Sequence, residues 1–204
     1  MIIVILAAVA YLIGSVSVAV IMSRLFQLPD PRTYGSGNPG AINVLRSGNK
    51  VAAVLTLLGD ALKGWLAVWL AQRFAPAGDA ELAMAITGAL SVIGHIYPLF
   101  HRFKGGKGVA TALGMLFGFS IYLGLGATST WIIVALFFRM SSVASIASAL
   151  LAPFATWLLF GVTHPFFVCV ALLAVLLIYR HHQNIKNILA GTERKLGQKA
   201  DIRV

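Results

Sequence analysis

Three polar stretches interrupt an otherwise apolar chain, and each carries residue types suited to an anion. The first is Gly35-Ser36-Gly37-Asn38-Pro39-Gly40-Ala41-Ile42-Asn43-Val44-Leu45-Arg46. Between Pro29 and Gly40 six residues are glycine or proline, a density that forbids regular structure and lets backbone N–H groups turn inward as an anion-binding concavity. Asn38 followed by Pro39 reads as an N-cap and first helical residue, which predicts a short helix over 39–46 with its positive end facing Ser36 and Gly37. Asn43 and Arg46 then lie one turn apart on one face, and Arg46 supplies a forked donor suited to phosphate or carboxylate. A Gly/Pro/Asn cluster between apolar runs is by itself a turn, but a bare turn has no use for a serine, two asparagines and an arginine at set spacing.

The second stretch, Phe103-Lys104-Gly105-Gly106-Lys107-Gly108-Val109-Ala110-Thr111, is a glycine loop opening directly into a helix, with two lysines. It has the outline of a phosphate cradle. It is not a nucleotide P-loop, because Gly108 stands where a hydroxyl residue must follow the lysine, so ATP or GTP hydrolysis is not expected. A cytoplasmic loop accounts for Lys104 and Lys107 but not for the three glycines. In the third stretch His181 and Asn184 share a helical face, Ile185, Ile188 and Leu189 form a stripe able to rest on a membrane surface, and Gly191 can end the helix. Glu193 is the one acidic residue nearby, placed either to pair with a basic loop or to act chemically. Asp60 and Lys63, at i and i+3 inside an apolar run, must be paired or face a cavity, so a structural ion pair competes with a catalytic role. His95 reads as an interhelical hydrogen-bonder, His182 as a solvated neighbour and His164 as outside the site.

The elements that must position these groups are membrane spans. Of 204 residues 59% are hydrophobic and 11% charged, with a mean hydropathy of +0.88, far from a soluble domain. The fold class expected is all-α and polytopic, with residues 1–204 as a single domain. The net charge of +10 sits in the gaps between apolar runs, which fits membrane topology and not nucleic acid. The lone cysteine, Cys169, permits no disulfide within the chain and reads as a small hydrophobe. Spans are expected at residues 1–22, 51–71, 82–100, 141–160 and 165–179. The charge-free run 109–138 would extend roughly 45 Å as one helix, so it is read as two short ones. Two passes put fourteen of the sixteen lysines and arginines on one side; one pass would leave Arg139 and the tail opposite the first loops. The topology expected is therefore seven transmembrane helices, N-terminus outside and C-terminus cytoplasmic, with all three polar clusters on the cytoplasmic side.

Gly35 to Gly40 with Asn43 and Arg46 resembles the first signature of the bacterial membrane family that acylates glycerol 3-phosphate from acyl phosphate, the PlsY family. Phe103 to Thr111 resembles its second signature, and Arg180-His181 with Asn184-Ile185, Gly191 and Glu193 its third. Leu58 to Gly64 and Gly94-His95 also match. Two positions depart: Ile42 stands where the family usually has threonine, and Asn187 where it usually has arginine. The resemblance implies an inner-membrane enzyme with seven spans and a cytoplasmic site, using glycerol 3-phosphate and a long-chain acyl phosphate among membrane lipid; a monomer without cofactor is expected, and no metal-ligand spacing is visible, which leaves metal dependence open. The resemblance puts Ser36, Arg46, His181 and Asn184 in the chemical step. Gly37, Asn38, Asn43, Lys104, Gly105, Gly106, Lys107 and Glu193 are then the residues against substrate.

Both substrates carry phosphate and one a fatty tail, which suits basic and glycine-rich loops at a membrane surface. A mixed anhydride has a good leaving group, so charge stabilisation and alignment supply much of the acceleration. Direct transfer is the mechanism expected, with either His181 or a substrate phosphate taking the hydroxyl proton; a covalent acyl-Ser36 is the rival. A transporter of phosphate or organophosphate anions also fits seven spans, although neither an inverted repeat nor a midplane polar cluster beyond Asp60 and Lys63 is visible. A non-catalytic membrane subunit is the third class.

Overall fold

The computed structural model describes residues 1–199, and among them it contains ten α-helices and no strand; Arg203 of the basic tail lies outside the described residues. The first apolar run is not one continuous helix, as expected from sequence, but two. Helix α1 (Ile2–Ser15) stops where Val16 turns extended, and α2 (Val18–Leu25) restarts after Ser17. A helix break inside a membrane leaves backbone groups that need partners. The Val16 carbonyl accepts from Lys63 Nζ at 3.0 Å, and Ser15 Oγ accepts the Leu99 N–H at 3.2 Å.

Helix α3 (Ala41–Leu45) is five residues long, and α4 (Lys50–Phe74) starts at Asn49, whose side chain accepts the Ala52 N–H at 2.9 Å. After α5 (Ala80–Ile96) the charge-free run divides at Ser120 into α6 (Val109–Phe119) and α7 (Ile121–Phe138), the division expected from its length. Helices α8 (Ser141–Phe160), α9 (Pro165–Arg180) and α10 (His182–Leu189) follow, with a 55° bend between the last two. By length and composition five segments can cross a membrane, and α9 continued into α10 makes a sixth. Helix α6, at 11 residues, rises only about 16 Å against a core of about 30 Å.

Helix α4 packs against α5 and α6, α1 against α5, α7 against α8, and α8 and α5 against α9. Small residues set these distances, because lipid offers no hydrophobic drive and close backbone contact takes its place. A Cβ on Gly64 would collide with the Thr111 carbonyl, and one on Gly114 with the Ala61 carbonyl. The interior holds Val68, Val92, Ile96, Met115, Phe119, Phe166 and Leu173. Outward positions such as Leu136, Phe137 and Leu172 are large, apolar and exposed, the signature of a lipid-facing surface. A second, smaller cluster of Ala19, Val44, Ala52 and Ala53 ties α3 to α2 and α4 and so anchors the first polar loop.

Candidate active site

The first polar loop is stapled by one side chain. Asn43, 2% exposed, donates from Nδ2 to the Pro31 and Tyr34 carbonyls at 2.6 and 3.1 Å, and its Oδ1 accepts the Ser36 N–H at 3.0 Å. Asn43 thus holds the loop from inside, while Ser36 and Gly37 are exposed on its rim. Gly37 needs its φ of 66° for the turn that bonds its N–H to the Tyr34 carbonyl. The helix after it starts two residues later than expected: Gly40, not Asn38, occupies the N-cap of α3, and no side chain caps it. Asn43 is committed to the loop behind it, and five residues are too few for a useful dipole. Arg46 closes α3 at its C-cap, half-buried. Burial lowers its pKa, Arg194 adds to this and Glu193 opposes it, so loop and tail stand close together.

The glycine loop is clamped on both backbone edges. The N–H groups of Gly105 and Gly106 donate to the Ile96 and His95 carbonyls, each at 3.1 Å. They therefore hold the loop against the end of α5 instead of standing free for a phosphate. Side chains there would not fit: a Cβ on Gly106 meets the His95 imidazole, and one on Gly105 the His95 carbonyl. On the other edge Arg180 Nη2 donates to the Gly105 and Gly106 carbonyls at 3.5 and 3.3 Å, and its guanidinium lies 5.7 Å from the Tyr97 ring centroid.

This clamp aims Lys107 at the tail. Its Nζ donates to Asn184 Oδ1 at 2.5 Å, and Asn184 Nδ2 donates to Glu193 Oε1 at 2.8 Å. Glu193 also accepts from Ser142 Oγ at 2.6 Å and from Asn187 Nδ2 at 3.3 Å, so Asn187 bonds the tail from the position where arginine is usual. The Leu196 N–H, 2.6 Å from the Arg139 carbonyl, straps the tail back to the start of α8. Burial pulls Lys107 down to about 8, Glu193 pushes it back up, and Arg46 and Arg180 press it down further. His181 sits at the bend between α9 and α10, 3% exposed. Its Nδ1, 2.7 Å from the Leu177 carbonyl, must carry the hydrogen, which leaves Nε2 as the acceptor. Burial, then the Lys107 charge, push His181 down to about 4, so the ring is neutral at pH 7.

Beneath this cluster lies a half-open apolar cavity between α6, α7, α8 and α9, with about 530 Å³ of empty space counting the part open to its surroundings. Its upper lining includes Val109, two residues from Lys107, and Leu177, whose carbonyl holds His181. On the other side of the glycine loop the buried Asp60–Lys63 pair, 2.8 Å apart, touches His95 Nδ1 at 3.5 Å, and that nitrogen lies 3.2 Å from Thr111 Oγ1. The pair thereby braces the α1/α2 break and the start of α6.

A family model described as glycerol-3-phosphate acyltransferase matches residues 4–191. The chain belongs to the glycerol-3-phosphate acyltransferase family. It is 58% identical over 197 residues to the glycerol-3-phosphate acyltransferase of Ralstonia nicotianae, covering 96% of this chain and 95% of that one. It is 56% identical over 200 residues to that of Cupriavidus necator, at 96% and 97% coverage. The crystal structure of PlsY (YgiH), an integral membrane glycerol 3-phosphate acyltransferase, in its glycerol 3-phosphate form superposes with a TM-score of 0.90 at 36% identity, covering 97% of this chain and 96% of that one. Its lysophosphatidic acid form gives 0.86, again at 36% identity, with 97% of each chain covered. Membership removes the ground for the transporter and accessory-subunit readings.

Of the residues singled out from sequence, Arg46, Lys107, His181, Asn184 and Glu193 come together across three separate segments. Lys104 stays apart and exposed, lining with Arg32, Pro39 and His101 a cleft of about 250 Å³. Asn38 is partly exposed and caps nothing. Arg180, part of the third signature, was given no role, and Ser142 was missed. The signal for Arg180 was its place beside His181; Ser142 has no local signal, because its partner Glu193 lies 51 residues away.

Proposed function

We propose that this protein transfers a fatty acyl group from acyl phosphate to the 1-hydroxyl of glycerol 3-phosphate, giving 1-acylglycerol 3-phosphate and phosphate. The observation that carries the reading is the Lys107–Asn184–Glu193 chain with Arg46 beside it, set over an apolar cavity. Cations held by a carboxylate and an amide suit two phosphates, and the cavity suits the acyl tail. Residues 1–204 act as one domain and as a monomer, spanning the bacterial inner membrane seven times with the N-terminus outside. Helix α6 counts as a short fourth span, and the site is cytoplasmic, in keeping with the one-sided lysines and arginines.

In direct transfer the hydroxyl oxygen attacks the acyl carbon, the bond from that carbon to the phosphate oxygen breaks, and phosphate leaves with the electron pair. Arg46 and Lys107 stabilise the charge gathering on the phosphates, with Ser36, Gly37 and Asn38 at the rim of the acceptor's site. Asn43, Gly105 and Gly106 act by positioning that rim and Lys107. Lys104 draws anionic substrate toward the site by its charge. Asn184 orients Lys107, and Glu193 orients Asn184. His181 accepts the hydroxyl hydrogen bond at Nε2. With its pKa pushed to about 4 it is a poor final base, and a phosphate with a second pKa of about 6 takes the proton.

Purified protein given labelled glycerol 3-phosphate and a sixteen-carbon acyl phosphate is expected to form labelled lysophosphatidate. Uptake of glycerol 3-phosphate into protein-loaded vesicles without donor, and no product, would contradict the reading. An acylated Ser36 found by mass spectrometry after donor alone would replace direct transfer with a covalent route.

A further inference from the structure

We infer that the cavity between α6, α7, α8 and α9 is a blind-ended ruler that sets the longest acyl chain this protein uses, an inference that rests on the acyl-transfer reading above. The cavity is dry in character. Its few polar groups are already bonded within the protein: Ser145 Oγ to the Ser141 carbonyl at 2.8 Å, Ser148 Oγ to the Ala127 carbonyl at 3.2 Å, and Trp131 Nε1 to Ser145 Oγ at 3.1 Å. A space with no free polar partner holds hydrocarbon in preference to water. Its mouth lies under Lys107 and His181, as the positions of Val109 and Leu177 require.

Below the lining, buried side chains stand on all four helices. Leu116, Ala127, Ala152 and Val170 are the lining residues farthest along their helices from Val109 and Leu177. One turn beyond each, on the same face, stands a buried side chain: Phe119, Leu123, Thr156 and Phe166, at 8%, 2%, 0% and 3% exposure. The Phe119 and Phe166 rings stack at 4.1 Å with their planes 4° apart, a flat plate across the end. From His181 the α9 axis descends 11 residues to Val170 and 15 to Phe166, about 16 and 22 Å at a helical rise of about 1.5 Å. An extended chain advances about 1.3 Å per carbon, so the plate is met between about 13 and 17 carbons. Longer chains must fold back or leave their ends unburied, at about a tenfold loss for every two methylenes.

The test measures kcat/KM for saturated acyl phosphates of ten to twenty-two carbons with protein in lipid nanodiscs, for the native chain, Ala152→Phe and Phe119→Ala. Ratios between variant and native at each length cancel how the donors partition into lipid. The native protein is expected to use a twenty-two-carbon donor at least about tenfold less well than a sixteen-carbon one. Ala152→Phe, which fills the deep end, is expected to lower the sixteen-to-ten ratio by about tenfold or more, and Phe119→Ala to raise the twenty-two-to-sixteen ratio by a similar factor. Ala152→Phe decides the matter alone where Phe119→Ala does not fold. A native profile flat from sixteen to twenty-two carbons, or variants that change every length by one factor, overturns the ruler and leaves acyl transfer standing. No transfer from any donor by well-folded native protein overturns the acyl-transfer reading itself.

Discussion

Raising the pH should disarm Lys107. Burial has lowered this ammonium to about 8, so the charged form dominates below that pH and is lost as pH rises through it. Charged Lys107 falls from about nine-tenths of the free enzyme at pH 7 to about one-tenth at pH 9. If only the charged form engages phosphate, kcat/KM for glycerol 3-phosphate drops about tenfold between these values. The kcat limb should lie at higher pH, because a bound phosphate favours the ammonium. Lys107→Arg separates this from other alkaline effects, since a guanidinium stays charged throughout. The variant is expected to lose absolute activity, because the 2.5 Å contact to Asn184 is set for an ammonium, but its alkaline limb should vanish. Initial-rate profiles from pH 6 to 10 for both proteins are the assay. An identical limb in Lys107→Arg would refute the reasoning.

Three further outcomes follow from the same geometry. Glu193→Gln removes the carboxylate that raises Lys107, so the alkaline limb should move to lower pH, read in the same profiles. Gly106→Ala places a methyl against His95, and should lower both turnover and thermal stability, the latter by about 1–3 kcal/mol as overpacking does. Lys63→Met leaves Asp60, 2% exposed, without its cation, and should destabilise by about 3–5 kcal/mol, while Asp60→Asn with Lys63→Met should recover much of that in thermal unfolding.

Much of this site was legible because its chemistry is local. Glycine loops, paired lysines and the His181–Asn184 spacing mark candidate positions within a few residues, and the length of the charge-free run calls for a division, which the fold makes at Ser120. What was not legible depends on distant partners. The α1/α2 break has no proline or glycine at Val16, and its reason is Lys63, 47 residues away. Asn43 resembles a ligand-facing residue until its amide is seen holding Pro31, Tyr34 and Ser36. Gly105 and Gly106 resemble a phosphate cradle, yet their N–H groups bond α5 and their missing side chains make room for His95. In each case the residue type was read correctly as unusual, and tertiary packing decided whom it served.

The most direct measurement is phosphate release from a long-chain acyl phosphate, with and without glycerol 3-phosphate, by the native chain and by Arg46→Ala. The account predicts release that requires glycerol 3-phosphate, matches lysophosphatidate mole for mole, and falls by about a hundredfold or more in the folded variant, the scale of losing one pre-set charge-stabilising donor. Equal release without glycerol 3-phosphate, or an Arg46→Ala protein as active as the native one, would contradict it.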